Sequence, residues 1–460
     1  MENSFIDQVA LWVDSAAAFI WTYMVYVLFG IGIVLTYRTG FIQFRRFATS
    51  LRITFGKKAR AKSDREGDVT PFAALTTALA ATVGNGNIAG VATALMWGGP
   101  GAIFWMWITG LLGMATKYSE AVLGVKFREK HPDGTMAGGP MYYIKKGLGE
   151  TGWAKILGGI FAACGAFAAL FGTGNMMQSN SMASSLQSEF GIPPLMTGIV
   201  VTTLVALVIL GGIKRIANVA VRLVPTMVML YFTFGTVVLI VNISAIPAAF
   251  AMIFEYAFTP AAAAGGFIGA TVREAIQFGA RRGILSNEAG LGSAPIAHAA
   301  AQTPGPIYQG MIGIAEVFID TIVVCTFTAL ILLSSGVWQT DLTGAAMTAA
   351  AFSTAVPYIG GAVVGLSTFL LGYSTLIAWE YYGEQCAKYL FGFKITMPYR
   401  IMFIGLTFIG ALVSIEIVFF VGDIANAFMA LPNLIGLLLL SGMIARITKQ
   451  ALEKDPLLKD

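Results

Sequence analysis

Charge is scarce in this sequence. Asp, Glu, Lys and Arg make up 12% of its 460 residues, mean hydropathy is +0.75, and no charged side chain stands between Asp68 and Lys117. A chain this poor in charge cannot dress a water-soluble globule, and its uncharged runs repeatedly exceed the roughly 20 residues that cross a bilayer. Histidine is nearly missing as well. His131 and His298 stand far apart, which removes any paired-histidine metal site, and neither HExxH nor GxSxG occurs, so hydrolytic chemistry lacks its residues. No enzyme and no organic cofactor are expected; a channel or an intramembrane enzyme is the rival class. The three cysteines, Cys164, Cys325 and Cys386, all fall in apolar stretches, so no disulfide framework is indicated and they read as small packing residues. Glu2 and Asp7 precede the first apolar stretch without a basic n-region or a small-residue cleavage site, so a removable signal peptide is not expected.

What is present is an all-α polytopic membrane protein. A first span from about Ala17 to Tyr37 is followed by Arg38, Arg45, Arg46, Arg52, Lys57, Lys58, Arg60, Lys62 and Arg65 in one loop, which the positive-inside rule places in the cytoplasm. The net charge of +5 therefore records loops facing an anionic leaflet and gives no reason to expect nucleic acid. Spans two and three turn at Gly98-Gly99-Pro100-Gly101. Span four runs from about Lys155 to Ser188, five from Pro194 to Gly212, and six up to about Asn242. After a connection at 246–264 comes span seven, Phe267 to Ala301, and then spans at about Ile307 to Ser335, Tyr358 to Leu390, Arg400 to Phe420 and Ile424 to Ala445. Eleven spans with an external N-terminus and a cytoplasmic C-terminus fit the basic loops. The chain divides into an extra span with its basic loop (1–68), a first half of spans two to six (69–245), the external connection (246–264), a second half of spans seven to eleven (265–447) and a tail (448–460).

Two of these spans are broken. In LAATVGNGNIAGVATA, from Leu79, two glycines alternate with two asparagines at about mid-span, although each glycine costs roughly 1 kcal/mol in a helix. Unwound backbone at that depth is tolerated only where protein buries it or a polar cavity needs it, and a discontinuous helix is a pointer to a transporter's binding site. The N–H groups opening the outer half-helix suit a carboxylate, and the carbonyls closing the inner half suit a small cation. Close packing of small residues explains the glycines too, but leaves Asn85 and Asn87 unaccounted for. The second interruption falls near Arg281 to Glu288. Setting GNGNIAGVA from Gly84 against SNEAGLGSA from Ser286 pairs Asn85 with Asn287, Gly90 with Gly292 and Ala92 with Ala294. Span two starts inside and span seven outside, five spans later, as an inverted repeat requires.

These blocks resemble the alanine or glycine:cation symporters, also called sodium:alanine symporters, over nearly the whole chain. The shared blocks are GNGNIAG, GGPGAIFWMWITGLLG from Gly98, GGPMYYI from Gly138, SNEAGLGSAP from Ser286 and YYGE from Tyr381. The resemblance implies the leucine-transporter type of fold, an inverted repeat of five plus five helices with one extra N-terminal helix. It implies a secondary active symporter in the plasma membrane (the inner membrane of a bacterium), importing small neutral amino acids with sodium as coupling ion. It further implies sodium at the carbonyls of Ala80, Val83 and Leu371 with the hydroxyls of Ser374 and Thr375, hard ligands for a hard ion. Without the family, back-bonding of Ser374 and Thr375 to their own helix is the plainer reading. The substrate carboxylate would meet Gly84, Asn85 and Gly86, with Thr82 and Asn87 close by. Gln178 would take the amino group through its amide oxygen or serve as an interhelical hydrogen bond. Phe278, Gly283 and Ile284 would close the pocket from span seven. Coupling to protons instead of sodium is the alternative within transporters.

Intramembrane charges need partners. Arg281, Arg282 and Glu288 read as a gate on the cytoplasmic route, paired with Glu120 or Glu380, or as a structural pair. Glu316 and Asp320 lie four apart on one helix face and read as proton relays or as partners of an Arg or a backbone N–H. His298 reads as a polar helix end. No buried Asp is expected to select a cationic side chain.

Overall fold

The computed structural model describes residues 5–61, 63–262, 267–413 and 415–458. Glu2 and Lys62 lie outside the described residues, as do 263 and 264 at the end of the expected connection and 459–460 in the tail. Among the described residues, seven helices are long and apolar enough to cross a bilayer, and the bent pair Pro71–Thr82 and Asn85–Gly98 makes an eighth. The other three expected spans correspond to Gly101–Lys126, to Pro194–Ile209, and to the pair Val272–Asn287 and Ala294–Ala299. These are short or carry charge inside the bundle. Gly212–Val241 shows the opposite character, leaving Met229, Val237, Ile240 and Val241 exposed on a face suited to lipid.

Each broken helix begins and ends for local reasons. Thr70 caps Pro71–Thr82, its hydroxyl accepting from the Ala73 N–H at 3.2 Å, with Pro71 in the first turn, where its missing N–H costs nothing. Thr271 and Glu274 form a reciprocal capping box at the start of Val272–Asn287. That helix runs unbroken through Arg281 and Arg282, so the interruption comes later than the polar residues imply. It falls at Glu288 (φ 56), Gly290 (φ 94) and Gly292 (φ 83), the left-handed region that glycine adopts freely.

The two broken helices run antiparallel. An added Cβ at Gly98, at the end of the first, would lie 3.1 Å from the Phe278 Cβ and 3.2 Å from the Glu274 carbonyl, near the start of the second. At the other end Val69 bridges Ala301, with Asp68 N–H donating to the Ala300 carbonyl at 2.8 Å and Gln302 N–H to the Val69 carbonyl at 2.8 Å. Arg128 clamps this junction, donating to the carbonyls of Ala299 (3.0 Å), Ala301 (2.7 Å) and Glu66 (2.8 Å). Burial raises the nearby Asp68 carboxyl above its usual range, while the Met136 N–H it accepts at 2.8 Å pulls the other way.

Several elements depart from the expected spans. Span four breaks at Gly172–Asn175 into Gly152–Phe171 and Met176–Phe190. A helix at Gly344–Ala355 fills what reads as a connection, and Pro306–Ser334 contains a π-helical stretch, Phe318–Cys325. The last turn lies between Thr396–Leu412 and Ile415–Lys454, not at 421–423, so Asp423 stands inside a long helix.

Candidate functional site

At the first break Thr82 ends one helix and Asn85–Asn87 forms a single tight turn before Ala89–Gly98, with a 58° bend across the pair. The Gly84 N–H donates to the Asn87 Oδ1 at 2.9 Å, and Asn87 Nδ2 donates to Asp320 Oδ1 at 2.7 Å. Asn87 is thus consumed in holding the turn. Asn85 is different: it is buried, and neither its amide oxygen nor its nitrogen has a partner among the described residues. A buried amide left unpaired costs about 1–3 kcal/mol, which a bound ligand with a donor and an acceptor would recover.

A cavity of about 80 Å³ lies against this turn, bordered by Thr82, Gly84, Asn85, Gly86 and Gln178 from the expected set. One water needs about 10–15 Å³ on this measure, so the space suits a solute of roughly six non-hydrogen atoms. Gln178 commits its nitrogen to the Thr173 carbonyl at 3.0 Å and leaves Oε1 buried without a partner. It therefore presents an acceptor opposite Asn85. The cavity's partly exposed lining is Gly86, Ala89, Thr93, Thr173, Ser181, Arg282 and Leu285; of these Ala89, Thr93, Arg282 and Leu285 stand on the half-helices that lead away from the Val69–Ala301 junction, while Thr82, Thr375 and Trp379 are buried.

Beside the cavity Thr375 Oγ1 stands 3.1 Å from the Ala80 carbonyl, 3.3 Å from Ala81 and 3.1 Å from Leu371. Ala81, absent from the expected ligands, thus contributes a third carbonyl near the hydroxyl. Ser374 donates to the Leu371 carbonyl at 2.8 Å, back-bonded within its helix. Val83 is buried and turns its N–H to the Leu79 carbonyl at 2.8 Å.

The second broken helix presents Arg282, Leu285 and Glu288 to the cavity, not the residues expected. Phe278 stacks on Trp97 with centroids 6.3 Å apart, a turn beyond the cavity. Gly283 faces Thr109, where an added Cβ would lie 2.3 Å from the hydroxyl, and Ile284 is packed near Leu28 and Thr116. The cause is register: a helix intact to Asn287 repeats about every 3.6 residues, so its cavity face falls at 282 and 285.

The charges find other partners than those expected. Arg281 pairs with Asp423 and lies over the Trp21 ring at 5.8 Å, on the half-helix away from the basic loop. It is bound to neither Glu120 nor Glu380, and it does not stand on the cytoplasmic route as drawn from the sequence. Glu120 Oε1 instead accepts from the N–H groups of Gly290 (3.1 Å) and Gly292 (3.0 Å) and from Asn433 (2.6 Å). Glu288 accepts from Trp379 Nε1 at 2.8 Å and Ser293 Oγ at 2.5 Å. An acid thus borders the cavity, but with both oxygens engaged. Asp320 is a buried Asp, with Oδ2 accepting from Ser286 (2.9 Å) and Thr321 (2.8 Å). Glu316 lies 3.1 Å from Lys117 Nζ and 2.8 Å from His298 Nε2, all fully buried, so its partners are a lysine and a histidine, and His298 stands in the last turn of Ala294–Ala299.

Trp379 is among the cavity residues absent from the expected set, with Ala81, Thr93, Met177, Ser181 and Leu285. Its signal was present: it lies one helical turn beyond Thr375 on the same helix, so the two share a face.

Residues 6–456 match the model of the sodium:alanine symporter family. The chain is 50% identical over 449 residues to the sodium/alanine symporter AgcS of Methanococcus maripaludis, covering 96% of this chain and 97% of that one. It is 46% identical over 452 residues to an uncharacterized transporter of Haemophilus influenzae, covering 98% and 97%. Among solved structures, MhsT in complex with L-phenylalanine superposes with a TM-score of 0.55 at 12% identity, covering 84% of this chain and 99% of that one. That likeness concerns the fold, an inverted repeat of helices built around two broken ones. The chain is a multi-pass membrane protein and belongs to the sodium:alanine symporter family.

Proposed function

We propose that this symporter carries a small neutral amino acid, alanine or glycine, together with sodium through the cavity at the first break. The observation that carries this reading is the pairing of unpartnered Asn85 and Gln178 Oε1 around about 80 Å³ of space, with Thr375 and the Ala80 and Ala81 carbonyls alongside. The N–H groups near Asn85 and Gly86 would receive the carboxylate at the positive end of Ala89–Gly98, and Gln178 Oε1 the ammonium group. Arg282, facing the same space, adds positive charge on the access side.

Sodium would sit among Ala80, Val83, Leu371, Ser374 and Thr375, with Ala81 as a further carbonyl. Its approach would turn the Thr375 hydroxyl hydrogen away from the carbonyls and expose a lone pair, so the existing hydrogen bonds and the ion compete for the same oxygens. The arrangement seen is closed at the Val69–Ala301 junction and open at the far end. Transport alternates between that state and its converse.

The driving force suffices: one cation crossing about 100 mV contributes about 2.3 kcal/mol, roughly fiftyfold accumulation. The test is alanine uptake into proteoliposomes with a sodium gradient, expected to vanish when choline replaces sodium at fixed pH. Orientation is tested separately. With the N-terminus outside, Lys57→Cys is labelled by an impermeant thiol reagent only in inverted vesicles, and Gln339→Cys only from the outside.

A further inference from the structure

A second cavity, about 740 Å³, lies beneath the joined ends of the two broken helices and plays no part in the transport reading. One wall is Pro71, Gln302 and Thr303, the ends of those helices. The opposite wall comes from the amphipathic helix Phe47–Phe55, the short helix Lys57–Arg60 and the loop after it, which supply Arg52, Ile53, Lys57 and Arg65. Tyr308 and Ile312 enter from a third side, and Asp455 and Leu457 from the C-terminal end.

Its chemistry is two-sided. Three basic side chains face one carboxylate, and that carboxylate is engaged: Asp455 Oδ2 accepts from the Tyr308 hydroxyl at 2.7 Å and Oδ1 from the Leu457 N–H at 2.9 Å. Arg52 donates to the Leu457 carbonyl at 3.2 Å. Lys57 and Arg65 have no ion-pair partner among the described residues and are exposed. Around this positive patch the surface is apolar. Ile53, Ile312 and Leu457 line it, and Phe55 at the end of the amphipathic helix and Phe44 on the short helix Ile42–Arg45 before it are each 53% exposed. Exposed aromatic rings beside a basic segment at a helix end mark the level of the lipid headgroups.

We propose that this cavity holds the headgroup of an anionic phospholipid, its phosphate on Arg52, Lys57 and Arg65 and its acyl chains leaving over Ile53 and Phe55. A soluble phosphate compound would satisfy the charges but leave the apolar wall without an occupant, and the cavity far exceeds an inorganic anion. Because the ends of both broken helices form one wall, an occupant also holds the closed junction together.

The test uses the full-length protein in a neutral detergent, read by native mass spectrometry and by thermal melting. Phosphatidylglycerol should stay bound and raise the melting temperature; phosphatidylcholine, glycerol 3-phosphate and inorganic phosphate should do neither. The double variant Lys57→Gln/Arg65→Gln changes only exposed side chains and should melt normally without lipid. It should bind phosphatidylglycerol about thirtyfold more weakly, each basic residue near an anionic headgroup being worth roughly fivefold. Lys57→Gln alone, expected to cost about fivefold, keeps the test decisive if the double variant does not fold. Unchanged phosphatidylglycerol binding in these variants, equal retention of phosphatidylcholine, or an equal effect of glycerol 3-phosphate would overturn the proposal. None of these readouts involves alanine or sodium, so the transport reading stands or falls separately.

Discussion

At the second break the exposed backbone is claimed by the protein itself. Gly290 and Gly292 donate to Glu120, Asn287 bonds Thr321 and the Ala289 N–H, Ser286 bonds Asp320, and Glu288 is held by Trp379 and Ser293. At the first break, a few ångströms away, Asn87 is claimed in the same manner, but neither side-chain amide atom of Asn85 has a partner among the described residues. The two turns touch, since an added Cβ on Gly86 would stand 3.7 Å from the Ser286 Cα. Two helices can therefore unwind side by side with different outcomes: one break is a braced part of the scaffold, and the other leaves an amide unpaired, which in the proposed function is kept for a ligand. Unsatisfied polar groups, not the break itself, separate the two.

The largest effect should come from unbracing the second break. Glu120→Ala leaves two buried backbone donors and Asn433 without their shared acceptor, at about 1–3 kcal/mol for each. Its melting temperature should fall steeply and by the same amount with or without alanine; a drop that alanine repairs would make the second break a ligand site after all. At the first break, Gly84→Ala places a Cβ 2.6 Å from Thr375 Oγ1 and should displace that hydroxyl, raising the sodium needed for half-maximal uptake. Thr375→Ala should do so by about tenfold or more, the loss of a ligand to a charged group being worth roughly 1.5–3 kcal/mol. An unchanged sodium requirement in both variants would remove Thr375 from the ion site. The smallest effect concerns the junction where the far ends of the helices meet. Arg128→Ala removes three donors from carbonyls there, so labelling of Thr303→Cys, at a buried position of that end, should speed up several-fold from the basic-loop side. Equal labelling rates would mean that Arg128 does not hold the junction shut.

Much of this was legible in the sequence because unusual residues mark it. Asparagines and glycines within an uncharged run located the first break, and the block from Ser286 located the second to within a few residues. The errors share one physical origin. Charged residues in an apolar run suggest a break, whereas a buried helix tolerates them when a partner stands opposite. Arg281 and Arg282 sit inside an intact helix, which turned the pocket face from Gly283 and Ile284 to Arg282 and Leu285. The expected turn between Phe420 and Ile424 takes in Asp423, whereas Asp423 stands inside a long helix and pairs with Arg281. Partners far apart in the chain, such as Glu120 with Gly290 or Lys117 with Glu316, leave no mark in local sequence.

Gly86 tests the central contrast most directly. A Cβ there meets no atom nearer than 3.7 Å, so the empty protein has room for it, while a valine would occupy the face on which a carboxylate approaches the backbone. The measurement is a pair of melts of Gly86→Val in saturating sodium, with and without alanine. The native protein should gain about 2.7 kcal/mol at an alanine concentration one hundred times its dissociation constant. In the variant the alanine-free melt should barely move and the alanine-induced shift should disappear. A variant that keeps the full shift would place the substrate elsewhere and leave the unpaired Asn85 without its ligand.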